Sequence, residues 1–158
     1  MSRRALKRFR SCSKHPQAWA AATDPAWWTY LVKHNEIATS FENEPGDAGE
    51  KILRRYIAGD VIVAYAKGFG AVGWGVVENP STYRLLRKGD PGDVLNGNGL
   101  HRLQVQWKAA AKTLDESMPA DAIRKTYGIH HPISTSVSMN PEAGRRLTAE
   151  LSTRYRGA

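Results

Sequence analysis

Cysteine is nearly absent from this chain. Cys12 stands alone among 158 residues, which excludes an intramolecular disulfide and any zinc cluster built on cysteines. Long apolar runs are missing as well: no stretch approaches the roughly 20 residues a helix needs to cross a bilayer, and the N-terminus lacks the apolar core of a secretory signal. We therefore expect a soluble, cytoplasmic protein with no membrane partner. Enzymatic signatures are equally sparse. There is no glycine loop ending in lysine and serine or threonine to cradle phosphates, and no helical HExxH pair. GFGAVG at 68–73 is part of a dinucleotide fingerprint, yet it joins two strand patterns and opens no helix. His130 and His131 are adjacent, so an extended backbone points them to opposite faces and they make poor ligands for one metal. Neither a metal site nor a cofactor is expected.

Acidic residues are missing from the first fourteen positions, where Arg3, Arg4, Lys7, Arg8, Arg10 and Lys14 cluster. The whole chain carries 23 lysines and arginines against 15 acidic residues, a formal net charge of +8, so part of that excess forms a local field suited to a phosphate backbone. The chain also holds five tryptophans and six tyrosines. Rings together with cations are what a base-stacking site needs, since one stacked base contributes about 1 to 3 kcal/mol.

The pattern along the chain predicts one domain over residues 1–158. ALKRFRS, from Ala5, reads as a first strand with one wet face. Asp24 and Pro25 form an N-cap and first-turn pair, after which Trp28, Leu31 and Val32 share a helical face. IATSF, from Ile37, reads as a short strand. Ile52, Leu53, Tyr56 and Ile57 then follow helical spacing up to a stop at Gly59. DVIVAYA and GAVGWGVV form a hairpin in which Gly73 and Gly75 leave one face open to a ring, a backbone or a ligand. Residues 79–100 read as a long loop, a length that is often functional. HRLQVQWKA alternates Leu103, Val105 and Trp107 with a polar face of Arg102, Gln104, Gln106 and Lys108. A helix near 120–127 stops at Gly128, ISTSVSM alternates as a strand, and Asn140 with Pro141 caps a last helix buried through Ala143, Leu147 and Leu151. Several strands with this little helix predict an α+β fold: a small mixed β-barrel flanked by helices. Trp28 and Trp107 fall on apolar faces and read as core.

The strand followed by SCSK, the GDVIVAY to GAVGWGVV hairpin, HRLQVQW and the STSVSMNPEAGRRL strand-to-helix unit together resemble the PUA-like superfamily, in particular its EVE and YTH-like branch. The resemblance covers most of the chain. It implies a barrel pocket that holds a modified base, flipped from a duplex or taken from a single strand, between aromatic side chains. Carried onto this sequence, it implies that Ser11, Ser13 and Lys14 line the pocket, that Ser40 and Phe41 form a wall, and that Tyr83 comes in from the long loop. Trp19, at an element end, and Trp74, beside its glycines, are the remaining ring candidates. Phe41 stands where YTH members carry a tryptophan, and the opening is more basic than the EVE strand usually is, so a modified cytosine of the kind EVE-like domains of modification-dependent restriction systems read is expected at least as much as methyladenine.

The expected function is therefore a non-catalytic module that recognises a modified base, first in DNA. Arg3, Arg4, Lys7, Arg8, Lys14 and Arg145 are the phosphate-contact candidates, and any cleavage would fall to a partner nuclease. Two other readings stay open: RNA binding by the same barrel, and an enzyme acting on nucleic acid or a nucleotide through His101, His130 or the Asp115 region.

Overall fold

The computed structural model describes residues 15–156. The strand expected at ALKRFRS, the pocket residues Ser11, Ser13 and Lys14, and the phosphate candidates Arg3, Arg4, Lys7 and Arg8 lie outside them.

The first described strand is one the sequence pattern does not announce. β1 (Ala18–Thr23) reads AWAAAT, alanine-rich and without a β-branched residue before Thr23, so intrinsic strand preference is weak. Tertiary pairing makes it a strand. It lies parallel to β3 (Val61–Ala66), with Ala18 opposite Val61, and antiparallel to β8 (Ser136–Met139), with Ala18 opposite Met139.

Local signals place most of the other elements. Asp24 accepts from the Ala26 amide and Pro25 opens a short 3-10 turn that leads into α1 (Trp28–His34), which ends at Asn35 with φ of 53°. β2 (Glu36–Thr39) follows directly. Asp47 caps α2 (Ala48–Arg54) by accepting from the Glu50 amide. The helix stops before Tyr56 and Ile57, and Gly59, at φ of 92°, turns the chain into β3. β3 and β4 (Gly70–Val76) make the expected hairpin. The stretch 79–100 is less structureless than its composition suggests, since it contains a 3-10 turn at Pro80–Thr82 and the two-residue strand β5 (Arg84–Leu85). α3 (Ala120–Tyr127) ends at Gly128, where φ is 69°, and Asn140 caps α4 (Pro141–Arg154) by accepting from the Glu142 and Ala143 amides.

The α+β class stands, but the strands do not close into a barrel. Among the described residues they form a five-stranded sheet, in the order β7 (Gln106–Ala110), β4, β3, β1, β8, and a three-stranded sheet, in the order β2, β6 (His101–Gln104), β5. HRLQVQWKA does not run as one strand. It divides at Val105 into β6 (His101–Gln104), paired with β2, and β7 (Gln106–Ala110), paired with β4, so one segment changes sheets. Val105 itself is buried and donates its amide to the Asn35 carbonyl at 2.9 Å.

The glycine face of β4 is occupied by the protein itself. A Cβ on Gly73 would fall 2.5 Å from the Ala109 carbonyl oxygen and 2.9 Å from the Trp28 ring, and one on Gly75 would fall 2.7 Å from a Val105 methyl. One core cluster joins Leu147, Leu151 and Tyr155 to Val63, Tyr65, Val72 and the α1 residues Trp28 and Leu31. A second, built from Ile37, Leu53, Tyr56, Ile62, Leu103 and Val105, joins the large sheet to the small one. Among the described residues no helix is long and apolar enough to cross a membrane.

Candidate nucleic-acid interface

Parallel pairing sets the C-terminal ends of β1 and β3 side by side, with Thr23 opposite Ala66. The end of β2 and the approach to β8 join them. Between these ends opens a narrow slot lined by Ala22, Thr23, Ala38, Thr39, Tyr56 and Thr135, with Trp28 and Trp107 at its back. Its enclosed volume is about 20 Å³, and its lining is mostly apolar. The two tryptophans are held edge to face, ring centroids 5.0 Å apart, and each spends its N–H on a backbone carbonyl: Trp28 on Ala111 and Trp107 on Leu31, both at 3.1 Å. They are therefore fixed walls. The polar groups of the slot are less fully engaged. Thr39 donates to the Gly49 carbonyl and Tyr56 shares a 2.6 Å hydrogen bond with Ser136, while the buried Thr23 hydroxyl has no partner.

A second, open cleft of about 830 Å³ lies beyond the Ala22–Thr135 rung, where the Ala22 amide donates to the Thr135 carbonyl. The β3–β4 turn, the start of α3 and the loop before β8 surround it.

Two buried polar clusters brace the small sheet. In the first, Glu50, Tyr83, His101 and Asp47 form a chain: the Tyr83 hydroxyl lies 2.7 Å from His101 Nδ1 and donates to Glu50 at 3.3 Å. His101 Nε2 lies 2.8 Å from Asp47 Oδ1, an electrostatic contact without hydrogen-bond alignment. Gly49 is required beside this ring, because a Cβ there would fall 2.6 Å from His101. In the second cluster Arg102, placed by alternation on a wet face, is instead fully buried. Its Nη1 donates to Tyr30 at 2.8 Å and Glu36 at 3.0 Å, its Nε donates to the Gly99 carbonyl, and Arg84 pairs with the other Glu36 oxygen.

Burial pushes Asp47 upward, but the Glu50 amide, the His101 ring and the Glu44 amide outweigh it and hold the carboxyl down at about 2. A folded-state pKa below the unfolded value means that this carboxylate stabilises the fold above pH ~4 and ceases to do so as pH falls toward 2. Asp47→Asn, which keeps an acceptor for the helix cap, is expected to flatten the fall of the urea midpoint between pH 4 and 2. An unchanged slope in that window would contradict the assignment.

The residues expected at the pocket take different places. Ser40 and Phe41 follow Thr39 directly at the end of β2. Ser40 accepts from the Gly99 amide at 2.6 Å and so ties the long loop to this edge, and Phe41 is 52% exposed at φ of 59°. Tyr83 belongs to the bracing chain, its ring capped by the Arg54 guanidinium at 4.2 Å. Burial and then the Glu50 charge push its hydroxyl up to about 12. Trp19 sits toward the other end of β1 from Thr23, donating to the buried Asp60 at 3.2 Å and packed edge-on against Tyr56. Trp74 donates to Ser152 of α4 at 2.8 Å. Arg145 is exposed on α4. Ser40 and Phe41 thus follow the slot residue Thr39 along the chain without lining the slot themselves, and Trp19 and Trp74 are engaged elsewhere. Thr23, Thr39, Thr135 and Tyr65 escape a sequence reading, because nothing in their neighbours marks strand ends that meet only through tertiary pairing.

No protein-family model matches the sequence, and no curated protein matches it. Solved structures do match in shape. The Mmi1 YTH domain superposes with a TM-score of 0.57 at 13% identity, over 89% of this chain and 78% of that one. The Toxoplasma CPSF4 YTH domain, solved with a 7-mer m6A-modified RNA, gives 0.56 at 16% identity, over 88% and 92%. The YTH domain of Zygosaccharomyces rouxii MRB1, in complex with N6-methyladenosine RNA, gives 0.59 at 8% identity, over 88% of each. This chain has a YTH-like fold.

Proposed function

We propose that this chain is a non-catalytic nucleic-acid reader that receives a modified base across the mouth of the slot between β1 and β2. The observation that carries the reading is an apolar recess of about 20 Å³ beside an unpartnered buried hydroxyl, Thr23, on a YTH-like frame. That volume holds one water or a group of similar size. A base ring therefore lies across the mouth while a small substituent enters, and Thr23 supplies a hydrogen bond to the base edge. Phe41, exposed two residues beyond Thr39, offers a face for stacking. The solved RNA complexes of two neighbours support a modified base as the ligand class. The basic run Arg3, Arg4, Lys7, Arg8 and Lys14, with Arg145 on α4, meets the phosphates.

The non-catalytic reading is supported by the two buried charged clusters, which bond inward and line neither the slot nor the cleft. Any cleavage coupled to recognition belongs to a partner nuclease. DNA is the first substrate, on the EVE-like features of the sequence, and RNA is the second, on the ligands of the YTH neighbours.

The test is a titration of matched single strands and duplexes, in DNA and RNA, carrying adenine, N6-methyladenine, cytosine, 5-methylcytosine or a glucosylated hydroxymethylcytosine. One methylated strand is expected to bind about tenfold or more tighter than its unmodified match, a difference of roughly 1.4 kcal/mol. The glucosylated strand should gain nothing, because its substituent exceeds the recess. Phe41→Ala should weaken the preferred strand by the stacking energy of about 1 to 3 kcal/mol and leave thermal stability unchanged. Equal affinity for every strand removes the reading.

A further inference from the structure

We infer that the segment 5–11, ALKRFRS, which precedes the described residues, adds a sixth strand to the large sheet along the outer edge of β8 and lays Phe9 in an apolar groove beside that edge.

The open edge follows from hydrogen-bond parity. β8 ends the five-stranded sheet, and among the described residues only β1 flanks it. In an antiparallel ladder, residues that exchange hydrogen bonds alternate with residues whose backbone groups point away. The Ala22 amide donates to the Thr135 carbonyl, so Ala20 with Val137 and Ala18 with Met139 continue the bonded rungs. The amides and carbonyls of Ser136 and Ser138 therefore face outward, and no described residue bonds them. Folded proteins guard such an edge with charge, proline or a bulge, and β8, reading SVSM in unbroken register, carries none of these. Beside it, on the helix side of the sheet, an open groove of about 440 Å³ runs between Val137 and Met139 of β8, Ala143 of α4, and Tyr127 and Ile129 around the end of α3.

The chain enters the sheet at one end of this edge. Ala18 lies opposite Met139, the last residue of β8, so the residues before β1 arrive there. A strand that ends at Ser11 on this side runs opposite to β1 and therefore parallel to β8. From Pro16, which lies beside Gly59 just before β3, the added strand is at most three strand spacings away, about 14 Å. The chain from Ser11 to Pro16 covers about 17 Å when extended, so the connection is long enough.

The sequence of the segment fits the place. Alternation puts Ala5, Lys7 and Phe9 on one face and Leu6, Arg8 and Arg10 on the other. With Phe9 in the groove, Arg8 and Arg10 project to the opposite side of the sheet, the side on which Ser136 bonds Tyr56 and the slot opens. β8 has no cation to repel a basic neighbour, and Glu142, exposed in the first turn of α4, stands at the end where Arg10 arrives. The docked strand thereby holds two cations on the slot side of the sheet. Their use on phosphates rests on the base-reading function, whereas the docking does not.

The experiment reads amide hydrogen exchange by NMR on the full chain and on its Phe9→Ser and Lys7→Pro variants. In the unaltered chain the Ser136 and Ser138 amides should exchange slowly, and each variant should speed both by about tenfold or more, while the Val137 amide, bonded to β1, should change less. If these two amides exchange freely in the unaltered chain, or are equally protected in all three chains, the segment does not lie on β8 and the inference falls. Protection that rises with protein concentration and survives both substitutions marks a second copy of this chain on the edge and overturns it equally. None of these readouts involves a nucleic acid, so a failure of base reading leaves them untouched. Affinity for a thymidine homopolymer is measured in parallel with Phe9→Ser, which keeps every cation, and should fall about threefold or more at low salt. An unchanged affinity together with lost protection keeps the strand on β8 and removes its cations from the phosphates.

Discussion

Replacing Arg102 with methionine is expected to lower the free energy of unfolding by about 3 to 5 kcal/mol, as does removal of one partner from a buried ion pair. Arg102 is fully buried, and its guanidinium satisfies Glu36, Tyr30 and the Gly99 carbonyl together. Methionine fills much of the same space but leaves Glu36 with Arg84, whose side chain is half exposed. The loss therefore comes from a buried carboxylate left under-compensated by Arg84 and Tyr30 rather than from a hole. That distinction is measurable: adding Glu36→Gln to Arg102→Met should recover part of the stability, whereas a simple packing defect would make the double variant worse than the single one. Urea denaturation of the three chains decides between these accounts. The loss should also loosen the long loop, because the Arg102 bond to Gly99 and the Ser40 bond to the Gly99 amide hold one residue from two sides.

Trp28→Ala is expected to cost a similar amount, roughly 3 to 5 kcal/mol, through a cavity. The ring is 2% exposed, lies over Gly73, packs edge-on against Trp107 and donates to the Ala111 carbonyl. Because β4 carries no side chain at Gly73, that face offers nothing to refill the space. Trp107→Ala should cost less, since that ring is partly exposed. The two substitutions should also combine non-additively, as expected for rings in contact. Trp28 backs the slot as well, so under the proposed function a Trp28→Ala chain that is still folded at low temperature should lose its preference for the modified strand. A melting temperature within a degree or two of wild type would overturn the packing account.

Sequence reading reached what short-range chemistry determines. Asp24 with Pro25, Asn140 with Pro141, and Gly128 after its helix each act within one turn of chain, and all three stand where the pattern places them. It failed where long-range pairing decides. The alanines of β1 carry little strand preference and become a strand because β3 and β8 flank them. Alternation through HRLQVQWKA is the same on either side of Val105, so it holds no sign that the two halves join different sheets, nor that Arg102 would find Glu36 and be buried. The candidate site shows the same division. Ser40 and Phe41 adjoin a visible strand and could be picked out, while Thr23 and Tyr65 gain interest only because partners their environment removes from water are not supplied.

The position of β1 has a further consequence for how the molecule comes into being. Its first residue, Ala18, meets Val61 on one side and Met139 on the other, so this strand is made before both of its neighbours and is enclosed only when the later one arrives. During synthesis one of its edges waits unpaired until residue 139 has emerged. Contacts this distant in sequence slow folding, and an uncovered strand edge invites pairing with other chains. The small, weakly strand-forming alanines that hid β1 from a sequence reading suit that interval, since a segment with little preference of its own has little tendency to pair before its partners arrive.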